Sequence, residues 1–493
     1  MDIRRMKRHW IVGTLFGLLF LFLLGLRLGM FEEGEWDVPE GHRFQVQTPL
    51  DRDVWMSIYQ QGRKIGYAHR QLFKTIEGYK FLESVFMQIN TMGMVQDIRF
   101  KTDGNLDHHL NLSSFNFELL SSLFRFKVRG ILNDQTLTLF ITSAAESEQK
   151  IDLSVKREVQ LPAGVLELLS AGDLKPGDRR NFHIFDPITT TEQPIKVLML
   201  EKETIPIMGR QEEAQKVSVD FMGVSQLAWI GKDGAVLRED GSFGIRLERV
   251  TREEALDKTD LLSGTDLAEF ASVPVNRVIP DVAQLNELRL RLEGIGSKAL
   301  FLDGGRQSHR EKVVTIRKES ISHLLSPSAP KVPEEVKRSL EPTALIPSDH
   351  PEIQAKAKEI LSPNDSDLVK AGKLVKWVNE NIQKRPVLSV PNAVEILRGR
   401  LGDCNEHAVL LTALARAAGI PAEVEAGLVY QGGRFYYHAW NVLYLGTWIT
   451  MDSVSGQMPA DVTHLRFVRG TERQIDLVQL IGKAQIEVLS YSK

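Results

Sequence analysis

The chain holds a single cysteine in 493 residues, and acidic residues flank it on both sides. Cys404 stands in the stretch Leu401-Gly-Asp-Cys-Asn-Glu-His-Ala408. Asp403 and Glu406 have the spacing of a capping box, which predicts that a helix begins at Cys404. Free N–H groups and partial positive charge at a helix N-terminus favour thiolate over thiol and stabilise an oxyanion. The stretch therefore predicts a nucleophilic cysteine with a lowered pKa, whereas the alternative is a small, buried, inert side chain.

Two predicted strands after this helix carry a histidine and an aspartate. Phe435–Tyr444 and Thr447–Asp452 are typical of an antiparallel pair joined by a short turn. In an antiparallel pair with a loop of about three residues near Leu445, the numbers of two facing residues add up to about 890. His438 and Asp452 give this sum, so they are predicted to face each other. Their Cβ atoms would lie roughly 5 Å apart, and a one-residue change in the loop keeps them neighbours. Asp452 would then hold one ring nitrogen of His438 and leave the other toward the cysteine, the arrangement of thiol enzymes.

Four segments within residues 350–470 also match a known family. They are Gly402-Asp-Cys-Asn-Glu-His-Ala408, Ala413-Leu-Ala-Arg-Ala-Ala-Gly-Ile-Pro421, His438-Ala-Trp440 and Trp448-Ile-Thr-Met-Asp452. Together they resemble the transglutaminase-like superfamily. The resemblance implies that Cys404 is the nucleophile, His438 the general base and acid, and Asp452 the residue that orients His438.

The same resemblance implies a papain-like α+β domain that acts on amide or peptide carbonyls without a metal or another cofactor. Animal transglutaminases require calcium, but no Asp-rich calcium loop occurs here, so no calcium site is expected. The β-rich sequence between residues 50 and 250 resembles that of other membrane-anchored bacterial proteins with a C-terminal transglutaminase-like domain, and it implies no separate chemistry.

Three other side chains near these motifs have weaker claims to a role. His464, in Ala460-Asp-Val-Thr-His464, is an alternative base, and His407 follows the cysteine by three residues on the same predicted helix. Trp440 shares a strand face with His438, where it either walls the site or packs into the core. The side chain that completes an oxyanion hole is not assigned by the sequence.

The strands and helices predicted along the chain suggest several domains and an α+β fold class. Short strands broken by Gly or Asp-Gly predict an antiparallel β-rich domain over 53–262, and alternating leucines predict a small β-containing unit over 263–325. A proline-containing linker over 326–350 precedes the transglutaminase-like domain at 351–493. In that domain, apolar spacing predicts helices over Ile353–Leu361, Asp367–Ile382, Ala393–Leu397 and Ala408–Ala418.

The N-terminus carries a targeting signal. Basic residues between positions 1 and 8 precede the uncharged, mostly apolar run Trp10–Leu26, which predicts a transmembrane helix over about 10–28 within an anchor segment 1–30. An acidic tether, 31–52, follows it. The positive-inside rule predicts a single-pass protein of the inner membrane with a cytoplasmic N-terminus and its bulk in the periplasm. The alternative is a cleaved signal peptide.

Composition narrows the classes of function. The net charge of -3 and the absence of a long basic run argue against a nucleic-acid partner. One cysteine excludes an intrachain disulfide and leaves a redox thiol without a resolving partner. Two hypotheses remain: a cysteine-dependent protease, amidase or cross-linking acyltransferase with protein or peptide substrates, and a non-catalytic module that binds partner proteins in a cell-envelope complex.

Overall fold

The structure is a computed structural model that describes residues 51–493 apart from gaps at 92, 122–124, 143–147, 156–158, 172–174, 188–190, 222–223, 242–243, 260, 262–263, 296–299, 322–331, 344, 387–391, 471–476 and 478–479. The predicted anchor at 10–28 and nearly all of the tether lie outside the described residues. Among the residues that are described, no helix has the length and apolar character needed to cross a membrane.

The first part of the described chain is one large sheet of 15 strands. Its strands, β1 to β15 in chain order, are Arg52–Gln60, Arg63–Lys74, Tyr79–Thr91, Met94–Leu106, Leu112–Ser121, Arg125–Asn133, Thr136–Thr142, Gln149–Ser154, Val159–Gln160, Arg179–Asp186, Thr191–Ile207, Arg210–Phe221, Val224–Gly231, Val236–Asp240 and Ile245–Val250. Consecutive strands pair antiparallel from β1 to β8 and from β10 to β15, and β9 pairs parallel with β10. Short turns set the order within the two antiparallel runs, because each strand there pairs with its neighbour in the sequence. The pairing of β1 with β15 joins the two runs, so the edges are β8 and β9.

One helix inside this sheet region contributes side chains to two of its apolar clusters. Helix α1, Pro162–Ala171, begins with proline, which suits the first helical position because its missing N–H has no partner there in any case. Leu168 packs into one apolar cluster of the sheet, whereas Val165 and Leu169 pack into another. Glu167 on the same helix is buried and pairs with Arg52 at 2.6 Å. The helix therefore connects two parts of the sheet.

The second part of the chain combines two small sheets, a separate pair of two-residue parallel strands and helices. Its strands, β16 to β26, are Val273–Pro274, Glu287–Glu293, Gln307–Arg310, Val313–Arg317, Gln383–Lys384, Leu401–Gly402, Ala422–Gln431, Arg434–Tyr444, Trp448–Met451, His464–Arg469 and Gln485–Ser492. One sheet has the order β16-β23-β22-β25 with β24 also on β23, and the other has the order β18-β19-β17-β26. Both sheets contribute to a single hydrophobic core that reaches from Val273 to Val488.

Helix α8 lies at the centre of this core. The remaining helices, α2 to α8 in chain order, are Arg252–Leu256, Leu267–Ala271, Glu334–Lys337, Pro351–Ile360, Asp367–Asn381, Ala393–Gly399 and Cys404–Ala417. Helix α8 packs on β22 and β23 with one side and on α5, α6 and α7 with the other. Asn441 of β23 donates to Ala408 O at 2.8 Å and to Thr412 Oγ1 at 2.9 Å, which fixes helix to strand.

The α+β fold class with a transmembrane helix, predicted from the sequence, is wrong for the described chain, which is mostly β. The large sheet is continuous over about 200 residues (52–250), so strands outweigh the helices of the C-terminal part. The predicted small β unit at 263–325 supplies β17, which pairs with β26 near the C-terminus. The domain boundaries remain predictions, since sheet pairing and core packing do not by themselves define independent units.

Candidate active site

Cys404 is the first residue of helix α8, as the sequence predicts. Asp403 is the N-cap, whose Oδ1 accepts a hydrogen bond from Asn405 N at 2.9 Å, while Glu406 Oε2 accepts one from Asp403 N at 2.8 Å. The Asp403 side chain also accepts a hydrogen bond from Glu406 N, and this bond together with the one from Asp403 N to Glu406 Oε2 forms the predicted capping box. A Cβ atom at Gly402 would lie 2.2 Å from Glu406 Cβ, so only glycine leaves room for this turn. The local sequence thus places the thiol at the helix start.

The surroundings of Cys404 act on its thiol in the direction opposite to the prediction. Burial raises the pKa of Cys404 well above its ordinary value, and the negative charge of Asp403 adds to the rise. The backbone N–H of Ala439 lowers the pKa, whereas Glu406 and Asp452 raise it. Lost hydration and three carboxylates therefore outweigh the hydrogen bond from Ala439. The resting group is therefore a neutral thiol, which needs a base to become a nucleophile.

His438 and Asp452 lie together, although the register of their strands differs from the predicted one. His438 Nε2 is 3.1 Å from Asp452 Oδ2. In β23 and β24, Asn441 faces Met451 and Tyr444 faces Trp448, so facing positions add up to 892. A shift of two residues keeps each side chain on the same face. Asp452, which follows the last residue of β24, still reaches His438 diagonally.

Among the described residues, one edge of β23 has no partner strand at His438 and Ala439. Along that edge of β23, β16 pairs with Phe435 and Arg434, and β24 pairs from Asn441 onward. His438 and Ala439 lie between these two paired stretches. The N–H of Ala439 faces the Cys404 thiol, so the start of helix α8 approaches β23 in this interval. The sheet therefore brings the thiol next to the residue that follows His438.

The carboxylate of Asp452 is held from both of its oxygens. Oδ1 accepts hydrogen bonds from Val454 N at 2.8 Å and Ser455 N at 3.3 Å, and Oδ2 accepts one from the Ser455 hydroxyl at 2.7 Å. Burial alone would raise the pKa of Asp452, but the hydrogen bonds from His438 and His464 lower it far below its usual range. Asp452 is thus a fixed anion that orients the imidazole of His438.

His464 lies beside Asp452, a contact that the sequence did not predict. Its Nε2 lies 3.2 Å from Asp452 Oδ2, and its Nδ1 lies 3.3 Å from Asp461 Oδ1. Burial opposes protonation, yet the two carboxylates raise the pKa of His464 above its ordinary value. Because both ring nitrogens face acceptors, His464 does not fit the alternative role of base. The spacing of Asp461 and His464 is the signal in the sequence that points to this pair.

His407 and Trp440 lie near the contact between His438 and Asp452 but are not part of it. His407 is fully buried, and its Nδ1 lies 2.7 Å from Asp403 O, at the start of the helix. The Trp440 ring centroid is 6.1 Å from that of His438, and its Nε1 donates to Glu425 Oε2 at 3.1 Å. Trp440 therefore packs behind His438 as a buried wall of the site.

Within the part of the chain that the structure describes, one group of side chains has the spacing of metal ligands. It consists of His438, Asp452 and His464, whose ligand atoms all lie within 4.8 Å of one another. The contacts between Asp452 and the two histidines do not require an ion at this position. The group nevertheless combines two imidazoles with a carboxylate, a donor set that suits zinc.

Comparison with known proteins agrees with the resemblance in the C-terminal part. Residues 354–453 match the family model of the transglutaminase-like superfamily, and this range contains Cys404, His438 and Asp452. The chain therefore carries a transglutaminase-like domain. No curated protein matches the chain.

Two solved structures similar to parts of the chain are distant. A β-barrel-like protein of a domain of unknown function from Brucella abortus has 14% identity and a TM-score of 0.32, and the alignment covers 41% of this chain and 98% of that one. The periplasmic domain of TgpA from Pseudomonas aeruginosa has 16% identity and a TM-score of 0.26, with 57% and 93% covered. Scores this low add nothing to the description of the site.

Proposed function

We propose that the protein is a thiol enzyme that attacks amide or peptide carbonyls through Cys404. The observation that carries the proposal is the contact between His438 Nε2 and Asp452 Oδ2, which are 3.1 Å apart. His438 lies on β23, and the next residue of that strand, Ala439, faces the Cys404 thiol through its N–H. The match of residues 354–453 to the transglutaminase-like family supports the same class of reaction. The nucleophile, the base and the orienting residue are then Cys404, His438 and Asp452.

The first step transfers the thiol proton to His438. A carboxylate can only accept a hydrogen bond, so Asp452 fixes the proton of neutral His438 on Nε2 and leaves the Nδ1 lone pair as the base. As the sulfur of Cys404 attacks the carbonyl carbon, its proton moves to Nδ1, and the buried anion of Asp452 stabilises the imidazolium. A thiol with a raised pKa makes this transfer part of the attack rather than a prior equilibrium.

The start of helix α8 supplies a donor for the substrate oxygen. Asp403 already accepts from the N–H groups of Asn405, Glu406 and His407. We assign the backbone N–H of Cys404 to the oxygen that becomes negative when sulfur adds to the carbonyl. The imidazolium then protonates the leaving amine, and the acyl group stays on sulfur as a thioester.

The thioester has two possible acceptors. When water attacks the thioester, with neutral His438 as its base, the net reaction is hydrolysis. When a second amine attacks instead, a new amide forms and the net reaction is cross-linking. Both outcomes use the same three residues, so the proposed activity is that of a cysteine-dependent protease, amidase or acyltransferase. Its substrates are proteins or peptides, because their amide carbonyls are the groups that this chemistry attacks.

Alkylation of the protein tests the base without requiring a known substrate. Cys404 is the sole cysteine, so the rate of reaction with iodoacetamide reports on one thiol. We expect His438→Asn to slow alkylation at pH 7 about 100-fold, the usual size of a general-base effect. His69→Asn is the matched control because it removes another His–Asp pair, 2.7 Å long, from the large sheet. Equal rates for the wild type and His438→Asn would refute the assignment of the base.

We also propose that this activity operates outside the cytoplasm. The support is the N-terminal sequence, in which a basic stretch precedes the 17 uncharged residues Trp10–Leu26, a pattern that directs export. Envelope proteins or peptides would then be the available substrates. A C-terminal alkaline phosphatase fusion tests this, because the reporter is active only after export. An inactive reporter on a full-length, stable fusion would refute the location.

A further inference from the structure

A single oxygen of Asp452 lies between two histidine nitrogens. Asp452 Oδ2 is 3.1 Å from His438 Nε2 and 3.2 Å from His464 Nε2. We propose that His438, Asp452 and His464 form a Zn²⁺ site that reversibly switches off the thiol enzyme. The inhibitory effect rests on the proposed function, whereas the metal site itself does not.

Two of the three separations between the ligand atoms are close to those of zinc ligands, and the two nitrogens lie within 4.8 Å of each other. Zinc bonds to histidine nitrogen and carboxylate oxygen are about 2.0–2.1 Å long, so two ligands of a tetrahedral ion lie roughly 3.3–3.4 Å apart. The two nitrogen–oxygen distances are shorter than this by only a few tenths of an ångström. The ligands come from β23, from the segment after β24 and from β25, so each has an independent backbone support. Small side-chain shifts would suffice to admit the ion.

The outer contacts of the ligands also suit a metal site. His464 Nδ1 faces Asp461 Oδ1 at 3.3 Å, and Asp461 is itself held by Gln457 Nε2 at 2.9 Å. A histidine that binds metal through Nε2 usually donates Nδ1–H to a carboxylate, which fixes its orientation. Asp452 has comparable support, because Val454 N–H and Ser455 N–H hold its Oδ1, while Oδ2 faces the histidines and also accepts a hydrogen bond from the Ser455 hydroxyl.

The charge and the burial of the side chains at this site suit a divalent transition-metal ion. The carboxylates of buried Asp452 and of Asp461, whose side chain is 10% exposed, offset the two charges of the ion. The side chains of Asp452 and His464 are 3% and 1% exposed, whereas that of His438 is 12% exposed. An ion would therefore enter from the side of His438. Two imidazole donors select zinc over magnesium or calcium, which prefer oxygen ligands, and a water would complete the tetrahedron.

Zinc at this position removes the base from the reaction. When His438 Nε2 binds the ion, the proton of the neutral ring lies on Nδ1, the atom that must accept the thiol proton. His464 gives up one proton to solvent and keeps the one that it shares with Asp461. Cys404 is not a ligand in this arrangement, so its sulfur stays intact and a chelator restores the enzyme.

Competition with a chromogenic chelator measures the affinity of the full-length chain for Zn²⁺ itself. We expect the wild type and Cys404→Ala to bind one ion with equal Kd, and His464→Asn to bind at least about 100-fold more weakly because a ligand is lost. Asp461→Asn should weaken binding about 10–100-fold through the outer contact. His69→Asn is again the matched control, and its Kd should equal that of the wild type.

Two results would overturn the proposal: equal Kd values for the wild type and His464→Asn, or loss of binding in Cys404→Ala. If His464→Asn does not fold, as judged by circular dichroism, Asp461→Asn decides, and an unchanged Kd in that variant refutes the site. Alkylation of Cys404 with and without zinc separates this proposal from the enzymatic one. Zinc binding that leaves a His438-dependent alkylation rate unchanged would refute the switch but not the base.

Discussion

Glu167 on helix α1, which packs on the large sheet, and Asp452 beside Cys404 are both buried carboxylates, but their cationic partners differ. Glu167 pairs with Arg52 at 2.6 Å, and both side chains are 7% exposed. Asp452 instead faces two histidines. An arginine keeps its proton at every physiological pH, whereas a histidine gains and loses one. The pair in the sheet can only hold the structure, whereas the pair in the C-terminal part can also move a proton.

The pKa directions of the two carboxylates reflect the same difference. Burial raises the pKa of Glu167, and Arg52 opposes the rise. For Asp452, the bonds from two histidines outweigh burial and lower the pKa far below its usual range. The amide N–H groups of Val454 and Ser455 also stabilise this anion. A cluster of fixed donors around an anion is what an imidazole needs if it is to carry a proton during a reaction.

Replacement of Asp452 should have the largest effect in this comparison. We expect Asp452→Asn to lower kcat for amide cleavage about 10⁴-fold, because an amide can hold His438 in the tautomer that has no lone pair on Nδ1. The alkylation rate of Cys404 should fall along with it. Glu167→Gln is the matched acid-to-amide change, and it should leave both rates unaltered. Equal kinetic losses in the two variants would show that the distinction between them is wrong.

Replacement of Glu167 should instead affect stability. We expect Glu167→Gln to reduce the free energy of unfolding by about 3 kcal/mol, since it leaves the charge of Arg52 buried beside a neutral group. Urea denaturation followed by circular dichroism measures the change. The double variant Arg52→Met, Glu167→Leu should recover most of the loss, because it removes both charges. A single variant as stable as the wild type would contradict a structural role for the pair.

The smallest effect expected is a pH dependence of stability that comes from Cys404. Its folded-state pKa is raised, so the unfolded chain loses the thiol proton at a lower pH than the folded chain does. Stability contributed by the neutral thiol is therefore complete below about pH 8.5 and declines as pH rises further, by at most about 1.4 kcal/mol per pH unit. Thermal unfolding of Cys404→Ser should lack this decline. The same alkaline slope in both proteins would contradict the raised pKa.

Local spacing was enough to predict some parts of the site. The capping box joins Asp403 and Glu406, three residues apart, and the helix begins at Cys404 because those side chains bond to nearby N–H groups. The helices at Pro351–Ile360 and Asp367–Asn381 also follow from apolar spacing. In each case the deciding contacts lie within one or two turns, so the sequence contains the information.

Contacts between distant residues were not predictable in the same way. The pKa of Cys404 depends on burial and on Asp452, which is 48 positions away, so a local reading of the helix start gives the wrong sign. The register of β23 and β24 depends on which residues form the turn, and the predicted sum was two too low. The fold class was wrong because it depends on how many strands join one sheet, and the pairing of β1 with β15, which joins two runs of strands, connects residues far apart in the chain.

Capture of the acyl-enzyme tests the central claim most directly. The protein is incubated with a pool of peptide amides, quenched in acid, digested and analysed by mass spectrometry. We predict an acyl group on the peptide that contains Cys404, released by hydroxylamine as a thioester is, and no amide cleavage by Cys404→Ala. Amide cleavage that survives in Cys404→Ala, or an acyl group attached to another residue, would contradict the account.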